Sequence, residues 1–83
     1  MAFTIKITVT ADDIAKGSRF QCDRCPVALA IARIMGGKKV YISTDCARIG
    51  TKRYSLPSVA ADWIGRFDSA YPVQPFAFHL KKS

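Results

Sequence analysis

Cys22-Asp23-Arg24-Cys25-Pro26-Val27-Ala28-Leu29-Ala30-Ile31-Ala32-Arg33-Ile34-Met35-Gly36-Gly37 decides the fold, because it holds a complete helix with its own start and stop. Pro26 suits the first helical position: its fixed φ fits, and its missing N–H would have no partner there. The residue before a proline avoids α geometry, which makes Cys25 the expected N-cap. Gly36-Gly37 supplies the positive-φ residue that ends many helices. Between these signals Arg33 is the one charged residue. Val27, Ala30, Ile31 and Ile34 form a stripe at helical spacing, and Leu29 and Met35 widen it beyond one face. A helix this apolar has to be covered on most sides, so it is the expected central helix of the core. It is too short to span a bilayer.

Outward from that helix, Phe3, Ile5, Ile7 and Val9 alternate with Thr4, Lys6 and Thr8, so residues 2–9 read as a half-buried strand. Thr10 can cap a short helix through Lys16, with Asp12 and Asp13 at the positive end of its dipole. Gly17 is expected to stop it. Downstream, Lys38 to Ser43 alternates as a strand, and Thr44-Asp45 reads as a turn. Gly50-Thr51 can turn a hairpin between two short strands. Leu56-Pro57-Ser58 opens a last helix with Pro57 at its first position. Its apolar stripe is Val59, Ala60, Trp63, Ile64 and Phe67, with Asp62, Arg66 and Asp68 outward. Gln74 to Leu80 reads as a final strand with Phe76, Phe78 and Leu80 on one face; Pro75 implies an edge strand or a strand start.

These elements predict an α+β fold in a single small domain, 1–83. An antiparallel or mixed sheet of four to five strands is expected, with the central apolar helix, the C-terminal amphipathic helix and the short N-terminal helix on one face. The first and last strands are the most regular and are expected to be neighbours. The N-terminus lacks a basic stretch followed by an apolar one, which gives a cytosolic expectation.

Thirteen Lys/Arg stand against six Asp and no Glu, a net charge of +7. That balance suits an acidic partner, either nucleic acid or an acidic protein face. The plainer reading is that charge keeps a small protein soluble. The cations concentrate: Lys38, Lys39, Arg48, Lys52 and Arg53 lie close together with Asp45 as the one acid among them, and Tyr41 and Tyr54 are interleaved. A basic β-ribbon with aromatics can track phosphates and stack bases, so these seven residues form the candidate partner-binding surface. The bland alternative is a solvated strand face whose lysines discourage aggregation.

Cys22-x-x-Cys25 has the spacing with which two thiolates reach one ion, but a four-ligand zinc site would have to borrow Cys46 and His79 from distant segments. A redox pair normally caps its helix with the first cysteine, whereas Pro26 makes the second one the cap. The remaining reading is two small apolar residues packing the helix start. No cofactor and no metal are expected. With no Glu, scattered Asp and a lone His79, no paired-carboxylate or triad arrangement can be drawn, and the chain is not expected to be an enzyme.

Ile14, Gly17, Cys22-x-x-Cys25-Pro26-Val27-Ala28-Leu29-Ala30, Leu56-Pro57, Phe67-Asp68 and Pro72-Val73-x-Pro75-Phe76-x-Phe78 together resemble a group of small phage and prophage proteins. The resemblance covers about Thr10 to Leu80. It brings no catalytic or binding residues. It implies a mobile-element accessory protein in the cytosol of a bacterial host. Such proteins often bind and disable host machinery, anti-CRISPR proteins among them. The leading expectation is therefore a non-enzymatic inhibitor docking on a host protein or nucleoprotein complex. Direct nucleic-acid binding through the basic hairpin is the second, and a thiol or zinc protein the third.

Overall fold

The computed structural model describes residues 4–21, 23–43 and 45–82. Cys22 and Thr44 lie outside the described residues, as do Ala2 and Phe3 at the start of the predicted first strand. In chain order the elements are β1 (Thr4–Val9), α1 (Ala11–Lys16), α2 (Pro26–Ile34), β2 (Val40–Ile42), β3 (Cys46–Ile49), β4 (Lys52–Ser55), α3 (Ser58–Asp68) and β5 (Phe76–Lys82). The fold is α+β, as expected.

The central helix begins and ends as its sequence dictates. Cys25 is the N-cap of α2, its Sγ accepting the Ala28 N–H at 3.4 Å. Gly36 at φ +80 takes the left-handed position, and the Gly37 N–H closes the last turn onto the Ala32 carbonyl. Gly17 ends α1 after Lys16, as expected. Its φ is −73, an ordinary value. A Cβ there would stand 2.6 Å from Pro26 Cγ and Cδ, so glycine is required by the close passage of the start of α2. Pro57 is the N-cap of α3, one position earlier than expected. α3 ends with Ala70 at φ +63, where the Tyr71 N–H reaches the Arg66 carbonyl.

The sheet is antiparallel in the order β1-β5-β4-β3-β2. β1 and β5 are neighbours, as their regularity implied. β5 is an inner strand, so Pro75 marks its start. Alternation sorts the strands cleanly. Ile7, Val9, Val40, Ile42, Ala47, Ile49, Phe78 and Leu80 are buried on one face against Val27, Ala28, Ala30 and Ile31 of α2. The aromatic rings of Phe67, Trp63, Phe76 and Phe78 stack in a column that ties α3 to β5. The Trp63 indole N–H donates to the Gln74 carbonyl at 2.9 Å. Val59, expected in the buried stripe of α3, is 56% exposed.

The sheet is strongly curled. α2 packs against both β1 and β2, which are its two edges. Flat, those edges would lie about 19 Å apart at roughly 4.8 Å per strand step. A helix only about 10–12 Å across cannot touch both unless the sheet wraps around it. The buried face is therefore concave and the open face convex.

One charge is enclosed in the helix layer. Asp13 is 6% exposed. Its Oδ2 accepts from the Thr10 N–H at 2.9 Å, the Thr10 hydroxyl at 3.0 Å and Arg33 Nη2 at 2.9 Å. Arg33 also donates to the Thr8 carbonyl at 3.0 Å, so one guanidinium joins α2, α1 and the end of β1.

Candidate functional site

The open face of the sheet takes the other half of the alternation. β3 presents Arg48, β4 Arg53 and Ser55, β5 Ala77, His79 and Lys81, β1 Thr4, Lys6 and Thr8, and β2 Tyr41, all exposed. Register makes neighbours of them. Tyr41 stands opposite Arg48, and Arg48 opposite Arg53, in one row across three strands. Ser55 pairs with Lys81, Lys81 with Thr4, and His79 with Lys6.

The charge on this face has one sign. The five strands together contain six Lys/Arg and no Asp. All six acids lie elsewhere: Asp12 and Asp13 in α1, Asp62 and Asp68 in α3, Asp23 and Asp45 in connections. Among the described residues neither the Arg48 nor the Arg53 side chain has a hydrogen-bond or ion-pair partner, and the same holds for the side chains of Lys81 and Lys6. Two arginines directly opposite each other across a ladder repel. Off the sheet three cations are engaged, Lys16 with Asp12 at 3.0 Å, Arg33 with Asp13 at 2.9 Å and Arg19 with the Phe67 carbonyl at 3.1 Å, while Arg24 and Arg66 are exposed like those of the sheet.

Of the seven residues expected to bind a partner, Tyr41, Arg48 and Arg53 form the row just described. Lys38 and Lys39 precede β2, and Lys52 opens β4. They gather at the hairpin end of the sheet, where the Gly50 N–H bonds the Lys39 carbonyl. Gly50 supplies φ +61 at the turn, as a hairpin of this length requires. Tyr54 does not belong. It shares the parity of Lys52, faces inward and is 6% exposed, a core residue. The basic run had grouped it with Tyr41 by composition, but the hairpin register places the two rings on opposite faces.

Lys6, His79 and Lys81 were not expected at the site. Their signal was present: each sits at a polar position of an alternating strand, and pairing of β1 with β5 brings them together. Beside Tyr41, between the end of α2 and β2, lies a shallow hollow of about 260 Å³. Gly37, Lys38 and Lys39 line it, with Asp23 on its wall.

A larger hollow of about 550 Å³ opens against Phe20, Ile42, Ile64 and Asp68. It shares no residue with the basic row. Cys25 is buried in its floor, and Cys46 is half-buried on β3. Cys22, the other half of the Cys-x-x-Cys spacing, lies outside the described residues. Among the described residues no three His, Cys or Asp side chains come together as metal ligands would. No helix among them is long and apolar enough to cross a membrane.

Comparison of the chain with protein-family models, with curated proteins and with solved structures finds no match.

Proposed function

We propose that the chain is a non-enzymatic, cytosolic binding protein that takes nucleic acid on the convex face of its sheet. One observation carries this reading: every Lys and Arg in the strands stands on a sheet that holds no acid, and Arg48 and Arg53 face each other without a carboxylate to separate them. A surface with only cations is favourable against a phosphate backbone, where each neutralised phosphate releases condensed counterions. Arginine suits it, because its planar fork donates two parallel bonds to a phosphate. The phage-type inhibitor expected from sequence would use the same face, by occupying the nucleic-acid path or an acidic surface of a host complex.

Replacing Arg48, Arg53 and Lys81 together by Glu tests the reading. All three are exposed, and such substitutions usually cost within about 0.5 kcal/mol each, so the fold should persist. Binding of a labelled oligonucleotide should collapse. For the parent protein, log K should fall linearly with log salt, with a slope of roughly 0.7–0.9 per phosphate contacted. A folded triple variant that binds nucleic acid as well as the parent removes the sheet from the proposal. Docking on an acidic protein would instead lose mainly association rate with salt and keep an apolar residual affinity.

A further inference from the structure

Resting on the nucleic-acid reading, we infer that the ligand is single-stranded, and that Tyr41 is the platform on which one of its bases stacks. Three observations converge on the row Tyr41–Arg48–Arg53. The first is the order of chemistry along it. An aromatic ring at the edge strand is followed by two guanidinium groups on successive strands, so one base can lie on the ring while the neighbouring phosphates of its backbone meet the two arginines. Tyr41 is 50% exposed, and its side chain has no hydrogen-bond or ring partner among the described residues. A large aromatic left open on a sheet face has its π-surface available, and every base has a face to lay on it.

The second observation is shape. The sheet wraps around α2, so this face is convex. A stiff duplex meets a convex surface along a narrow line and keeps its base faces stacked inside, out of reach of a tyrosine ring. A single strand bends over the curve and turns its bases toward the protein. From β2 to β5 the surface path is about 14 Å at roughly 4.8 Å per strand step. Lys81 on β5 and Lys6 on β1 continue the path with further cations.

The third observation is the approach to the ring. Lys38 and Lys39 lie immediately before β2 and line the hollow beside Tyr41 together with one carboxylate, Asp23, so cations outnumber acids there two to one. A strand whose base stacks on Tyr41 therefore has cations on both sides of that base. Nothing in the row is aimed at the sugar, so DNA and RNA single strands should both bind.

Fluorescence anisotropy of the full chain with labelled oligothymidylate, oligouridylate and a hairpin duplex of equal length tests this, with heparin as a polyanion that has no bases. Both single strands should bind more tightly than the duplex. Tyr41→Ala should weaken single-strand binding roughly ten-fold or more, Tyr41→Phe should not, and neither should change heparin binding. Melting curves of both variants should match the parent, since the ring is exposed. A duplex bound as tightly as the single strands, or a Tyr41→Ala variant with unchanged single-strand affinity, overturns the inference. In either case loss of binding in the Arg48→Glu, Arg53→Glu, Lys81→Glu variant leaves the broader reading standing. Absence of binding to every oligonucleotide at low salt overturns both.

Discussion

In the helix-covered half of the molecule the one buried charge is matched donor by donor, whereas the open half lines up cations with nothing between them. Asp13 receives Arg33 and both donors of Thr10, and no buried side-chain polar atom among the described residues lacks a partner. On the other side of the same sheet Arg48 and Arg53 oppose each other across a ladder. Both halves obey one rule: a charge is stable where something compensates it. Inside, the chain supplies the compensation itself. Outside, water supplies part of it and leaves room for an anion from elsewhere. The difference teaches that the inner half is set by folding and the outer half is free of that constraint, so on the proposed function substitutions on the two should separate stability from binding.

The largest effect belongs to the concave side. Ile31 is 0% exposed, in the middle of α2. Ile31→Asp places an unpaired carboxylate where no donor waits, a mechanism known to unfold marginal domains. Circular dichroism should show loss of cooperative melting. Ile31→Val, which removes one methylene, should cost about 0.5–1.5 kcal/mol. A cooperative, near-parental melt for the aspartate variant would contradict the central position of the helix.

Next comes the Asp13 cluster. Burial pushes its carboxyl up, but the Arg33 hydrogen bond and the Thr10 N–H and hydroxyl outweigh burial, and the net shift is downward. A carboxylate whose folded value lies below its unfolded one stabilises the fold above the unfolded value. That contribution fades as pH falls from about 4 through the lower folded value. Asp13→Ala removes the capping box together with the tie to Arg33, and should cost about 1.5–3 kcal/mol at neutral pH. The parent should lose stability in acid, while the variant should lose less over the same window. Parallel losses for the two proteins would show that other groups govern acid unfolding.

Most of the concave side was legible in the sequence, because period and punctuation act locally. Pro26, Cys25 and Gly36 define α2 within their own neighbourhood, and the alternation of Ile5, Ile7 and Val9 fixes which face of β1 is buried. What escaped was set by contacts distant in sequence. Gly17 is glycine because Pro26 passes it, a constraint visible only once the connection closes. Arg33 stood out as the one charge of an apolar helix, but nothing local shows that it reaches Asp13 twenty residues earlier. The candidate site divided in the same way. Arg48 and Arg53 could be proposed from local composition, but their direct opposition is a matter of register. Tyr54 was misplaced because a basic, aromatic run does not reveal which face each residue takes. Lys6 and Lys81 joined the surface only when β1 paired with β5.

The smallest effect is also the sharpest test of the two-sided picture. If Arg48 and Arg53 repel across the ladder, one reversal should stabilise the protein while damaging its binding. Arg53→Glu turns a like-charge pair into an opposite-charge one, at an exposed site where neither side chain has another partner among the described residues. Cross-strand pairs of this kind are weak, so the melting temperature should rise by only roughly 1–4 °C at low salt. High salt should erase the gain by screening both the repulsion and the new attraction. Oligonucleotide affinity should fall over the same salt range, because the row loses one cation and gains an anion. Reversing the partner, with Arg48→Glu, should reproduce both changes. Combining the two reversals should return the stability to near the parent, since two carboxylates then face each other, while binding stays lost. That non-additive pattern is specific to a directly opposed pair. Additive melting shifts for the two reversals would mean that the arginines do not feel each other, and that the unpaired row is an ordinary solvated surface.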